Sequence, residues 1–179
     1  MRKFSIIIIL TCLFKAVYSI PTGDHTIMED KLSGIIPLIN GKAAYTQTVD
    51  CGSVTLAELF RRSRIWLATA NPENQMLVSD KETGDLVSHG TMVVSMPRSE
   101  NVAGGVYSFR YTLIIECANR KYRSSIVHIQ MQQNGNLLPI EFFNLKSEQE
   151  TKDLYTVLDK KFTGLLLDLE QDTKDYKSF

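Results

Sequence analysis

The sequence predicts an α+β fold: an antiparallel sheet, made of a hairpin and a four-strand meander, with two helices packed on one face. Three observations carry this. Asn40-Gly41 and Asn134-Gly135 follow extended runs, and Asn-Gly is a strong turn signal because both residues tolerate positive φ. Residues 55–70 and 147–170 carry apolar side chains at three- and four-residue spacing. Residues 106–117 alternate with period two, as a strand with one buried face does. The 179 residues, 44% hydrophobic and 22% charged, suit one domain and exclude a wholly disordered or collagen-like chain.

Taken in order, Met1-Arg2-Lys3, an apolar run over 4–14 and Val17-Tyr18-Ser19 have the layout of a cleaved secretory signal, residues 1–19. The run is about half of the roughly 20 residues a spanning helix needs. Leu10-Thr11 ahead of Cys12 lacks the small residue of a lipoprotein site. Residues 20–36 show no periodicity and read as a leader; a single domain is expected over 37–172. A hairpin occupies 37–49. Thr55-Leu56-Ala57-Glu58 is a capping-box pattern opening a helix over 55–70, which Asn71-Pro72 ends. Strands follow over 75–79, 86–96, 106–117 and 122–132, and a second long helix covers 147–170. Residues 173–179 are expected to form a frayed tail.

Removing 1–19 takes away Arg2, Lys3 and Lys15 and no acid, so the mature chain carries net charge −3. That argues against nucleic acid and anionic membrane as partners. The expected location is exported, in the periplasm or outside the cell, with no transmembrane segment in the mature chain. Such a compartment permits a disulfide between Cys51 and Cys117; two free thiols are the alternative.

The string from Gly41-Lys42 to Val49, the helix with Leu59 and Trp66, the turn Asp80-Lys81-Glu82-Thr83-Gly84 and finally Lys121-Tyr122-Arg123 resemble a family of exported proteins of Bacteroidota. It is a domain of unknown function with a TATA-binding-protein-like (TBP-like) fold, and the resemblance covers residues 37–170. It implies a fold and an envelope location and brings no catalytic residues. Arg120 stands at a turn position where the family would be expected to have Gly. The name describes topology alone, since fold does not fix function.

Catalytic chemistry finds no foothold in the residues. Neither G-x-S-x-G, S-x-x-K, a phosphate-cradling glycine loop nor metal-ligand spacing occurs, so no cofactor and no metal are expected. Of the three histidines, His25 falls in the leader and His89 points to the sheet face away from the helices. With Asn119-Arg120 as a two-residue turn, Cys117 faces Tyr122, Glu116 faces Arg123 and Tyr111 faces His128, which places His128 under the helices. The same register sets Ile114, Val127, Ile129 and Met131 on the second face, beside His89, Arg110 and Thr112. Such a face is normally polar, so clustered apolar side chains there mark a candidate binding surface. The expected function is a non-catalytic envelope domain binding a protein or small ligand through that face. A structural homodimer using the same face and a hydrolase-type enzyme with an unrecognised site are the alternatives. Coverage of the face by residues 20–40 or 135–146 would remove it.

Overall fold

The computed structural model describes Leu32 and residues 34–70, 73–98 and 104–176. Residues 1–19, expected to form a signal peptide, and His25 lie outside the described residues. The elements are β1 (Leu38–Ile39), β2 (Lys42–Ala43), β3 (Tyr45–Asp50), α1 (Leu56–Ala70), β4 (Gln75–Asp80), β5 (Asp85–Met96), β6 (Gly105–Ala118), β7 (Lys121–Gln133), β8 (Asn136–Pro139), a 3-10 turn (Ile140–Phe142) and α2 (Glu148–Asp175). β1 and β2 form a small hairpin through Asn40 and Gly41, both at positive φ as the sequence requires. The main antiparallel sheet runs β3-β7-β6-β5-β4, and β8 continues the β3 side of β7.

Both helices bury their apolar stripes against one sheet face. Leu59, Phe60, Trp66 and Leu67 of α1 and Leu154, Leu158, Phe162, Leu166 and Leu169 of α2 share a core with Phe109, Tyr111, Leu113 and Ile115 of β6. Phe162 stands edge-on to Tyr111, with ring centroids 5.2 Å apart. The Trp66 indole N–H donates to Asp168 at 2.9 Å, which satisfies its one polar atom.

The helix starts differ from a full capping box. Thr55 accepts from the Glu58 N–H at 3.4 Å, but the Glu58 carboxylate is taken by Arg61 and Arg62 at 3.2 and 3.0 Å. Asn119, from the β6–β7 turn, instead accepts the Leu56 N–H at 2.9 Å. Ser147 caps α2 through the Glu150 N–H.

Four expectations need correction. Leu32 and Ile36, both 2% exposed, belong to the core, so the domain begins inside the stretch read as a leader. The tail is not frayed as far as it is described: α2 runs to Asp175, Arg62 donates to the Thr173 carbonyl at 2.8 Å, and the Arg61 and Arg62 guanidiniums lie over the Tyr176 ring. Cys51 and Cys117 are free thiols, because β7 lies between β3 and β6 and separates the two sulfurs.

The fourth concerns β7. The Asn119-Arg120 turn sets Ala118 opposite Lys121, Cys117 opposite Tyr122 and Glu116 opposite Arg123, as the sequence indicates. Further along, a bulge intervenes: Thr112 faces Val127, but Arg110 faces Gln130, so His128 and Ile129 together oppose Tyr111. His128 takes φ 52° at the extra position and its side chain is exposed rather than under the helices. Beyond it the facing of β7 shifts by one residue. Ile129 (2% exposed) and Met131 (6%) therefore turn into the core and leave the candidate binding face.

Candidate functional site

The sheet face opposite the helices is built from alternate residues of six strands. One row runs Val78, Val87, Ile114, Ser125 and Thr46 across β4, β5, β6, β7 and β3. The next runs Gln75, His89, Thr112 and Val127, and a third runs Thr91, Arg110, Gln130 and Pro139. Each side chain is held there by period two and by its cross-strand partner. Both helices pack on the opposite face, and at the end of the third row Gln130 and Pro139 border a cleft shared with the β1–β2 hairpin and the 3-10 turn.

Of the residues assigned to this face from the sequence, His89, Arg110, Ile114 and Val127 are on it, all half-buried, and Ile129 and Met131 are not. Sequence reading missed Val78, 43% exposed at the sheet edge, and half-buried Val87, which extend Ile114 into an apolar row. Their signal was available: residues 85–96 alternate, and Val87 shares its parity with His89. Val127 sits diagonally beside Ile114 and completes the patch.

Polar groups frame the patch. The His89 Nδ1 and the Thr112 hydroxyl are 3.2 Å apart, and Thr46 and Ser125 share a hydroxyl hydrogen bond at 3.1 Å. Arg123 clasps Glu116 through two hydrogen bonds of 2.6 Å, and this guanidinium holds the Glu116 carboxyl below the ordinary carboxylate range. In the ladder His89 stands between Gln75 and Thr112, and Arg110 between Thr91 and Gln130. Among the described residues no three His, Cys, Asp or Glu side chains are grouped to hold a metal.

The cleft, of about 450 Å³, lies at the far end of β7, where His128 and Ile129 meet Leu38, Lys42, Glu141 and Phe142. The Glu141 carboxylate there accepts the Ala43 N–H at 2.7 Å, which ties the β1–β2 hairpin to the 3-10 turn.

Residues 45–132 match the profile of a domain of unknown function (DUF4468) with TBP-like fold. A solved DUF4468 family protein from Bacteroides ovatus superposes with TM-score 0.58 at 10% identity, over 77% of this chain and 91% of that one. A TBP-like protein from Parabacteroides distasonis gives TM-score 0.57 at 14% identity, over 76% and 97%. At such identities the likeness shows the fold alone. No curated protein matches the chain.

Proposed function

Since the chain belongs to the DUF4468 family through residues 45–132 and has its TBP-like fold, we propose that it is an exported, non-catalytic domain of the cell envelope that binds a protein partner through the sheet face opposite its helices. The observation that carries the reading is the row Val78–Val87–Ile114 with Val127 beside it, an apolar band on the sheet face opposite the helices. An open, gently pleated face of this kind suits a macromolecule better than a small ligand, which concave sites hold. The polar frame of His89, Arg110 and Thr112 supplies orientation around an apolar centre, the usual plan of a protein interface. Export rests on the basic start, apolar run and Val17-Tyr18-Ser19 of residues 1–19. No described helix is long and apolar enough to cross a membrane.

The test has two parts. Intact mass of the exported protein should begin at Ile20; a mass retaining residues 1–19 overturns export. A pull-down from envelope extract should retain a protein that Val127→Asp and Val87→Asp both release. Equal capture by those variants removes the face from the mechanism. Light scattering on the same samples reads self-association: a dimer dissociated by Val127→Asp would make the partner a second copy.

A further inference from the structure

The outer edge of β3 carries a feature separate from the sheet face. Two hydrogen bonds fix which main-chain groups point outward. The Cys51 N–H donates to the Arg120 carbonyl at 2.6 Å, towards β7, whereas the Ala44 N–H donates to the Pro37 carbonyl at 3.1 Å, away from it. Alternation along an antiparallel strand then directs Tyr45, Gln47 and Val49 to β7, and the N–H and C=O groups of Thr46, Thr48 and Asp50 outward. Among the described residues no strand pairs with that side. β3 is regular, without the bulge that interrupts the opposite edge strand β4 between Met76 and Val78.

Helix α2 runs beside this edge. The Gln47 amide donates to the Leu166 carbonyl at 3.1 Å and the Tyr45 hydroxyl to Asp159 at 3.0 Å, so strand and helix are held at a fixed separation. Between them lies a groove of about 260 Å³, walled by Pro37, Ala44, Thr163 and Leu166. Ile39 and Leu167 also line it, and they are 47% and 56% exposed. An unpaired ladder beside a small apolar groove is the layout used when a strand is added to a sheet edge: main-chain bonds fix an extended backbone, and alternate side chains enter the groove.

We propose that the β3 edge and α2 together form a binding site for an extended peptide segment of a partner protein, one with apolar side chains at alternate positions. The ladder of Thr46, Thr48 and Asp50 selects an extended main chain, and the Ile39–Leu167 groove selects the apolar side chain. Pro37 already occupies the first rung of that added strand through Ala44. The site is independent of the sheet face.

The test pans a random twelve-residue phage-displayed peptide library against the full chain and measures binding of the enriched peptide by fluorescence polarisation. Leu167→Asp, at an exposed helix position, should weaken it at least about tenfold. Thr48→Pro should do the same, and the fold should tolerate it because that N–H makes no bond to β7. Val127→Asp should leave it unchanged, which separates this site from the sheet face. Bound peptide should slow amide exchange at Thr46, Thr48 and Asp50. The proposal is overturned if no peptide enriches, if Leu167→Asp binds as well as the unmodified chain, or if those amides already exchange slowly in the free chain because its own residues or a second copy cover them.

Discussion

Ile129 and Val127 are two residues apart, and an unbroken strand would place them on the same face. The bulge at His128 separates them: Ile129 enters the core, 2% exposed, and Val127 stays half-buried on the open face. Truncating each to Ala should therefore give unequal losses. Ile129→Ala removes three methyl or methylene groups from a closed environment, at about 0.8 kcal/mol each by transfer, plus a cavity contribution. Because Ile129 also borders the cleft beside β1 and β2, the cavity is partly relieved, and the total should fall near 3 kcal/mol. Val127→Ala should cost under about 1 kcal/mol. Urea titrations followed by Trp66 fluorescence would show this as a midpoint lowered by more than about 1 M for Ile129→Ala and a nearly unmoved one for Val127→Ala. Equal losses at the two positions, or the larger loss at Val127, would refute the bulge and restore the regular ladder.

Other outcomes follow from particular contacts. Gly84 has φ 85° and a Cβ there would lie 2.4 Å from the Cys117 carbonyl oxygen, so Gly84→Ala should lower stability by at least about 2 kcal/mol in the same titration. Arg120 adopts φ 75° for little more than one exposed hydrogen bond to the Gly52 carbonyl, so Arg120→Gly should raise Tm by about 2 °C in calorimetry; a fall would show that the bond outweighs the strain. Burial pushes the Cys117 thiol up to about 11 and raises the phenols of Tyr45, Tyr122 and Tyr155. A raised value favours the protonated fold, so this stability is complete below the unfolded values, near 9 for the thiol and 10 for the phenols, and is lost as pH rises through the folded ones. The urea midpoint should decline above about pH 9, and Cys117→Ala should flatten the first part of the decline; a midpoint rising there would contradict it.

Local chemistry made most of the fold legible. Thr55 and Ser147 mark helix starts, Asn40-Gly41 and Asn134-Gly135 mark turns, and residues 107–117 display their buried parity openly. Asp80-Lys81-Glu82-Thr83-Gly84 has a mechanism too: the Asp80 carboxylate accepts the Glu82 and Thr83 N–H groups, and Gly84 passes against β6 where no side chain fits. Errors arose where distant residues decide. A Cys51–Cys117 disulfide would need adjacent strands, but β7 lies between β3 and β6, and no short motif announces the non-local β3–β7 pairing. Leu32 and Ile36 are buried in a stretch too short to show a helical or strand period, so no repeating pattern announces them. The bulge did leave a trace: buried Tyr122, Ser124 and Ile126 keep one phase, and Ile129 and Met131 resume one residue late. Val127 masked it, since an apolar residue on the open face continues the pattern a regular strand would have given. The candidate site was accordingly half legible, with Ile114 and Val127 placed and Val78 and Val87 overlooked.

The placement of β3 has a kinetic consequence. Strands β4 to β7 can close one after another through short turns, each gaining contacts for a small loss of loop entropy. β3 comes earlier in the chain than all of them, yet its partners on β7 lie about seventy to eighty residues away, from Tyr45 opposite Ile126 to Asp50 opposite Lys121. It cannot dock until the last strand of the meander exists, and α1 must be carried into place with it. The Leu56 N–H waits on Asn119 in the same way. Assembly should then proceed from the C-terminal hairpins backwards, with closure of the N-terminal strand as the slow, high-contact-order step. Until that closure, the rim of β7 stands unpaired, and an extended segment of another molecule has its best opportunity to enter the sheet in place of the chain's own strand.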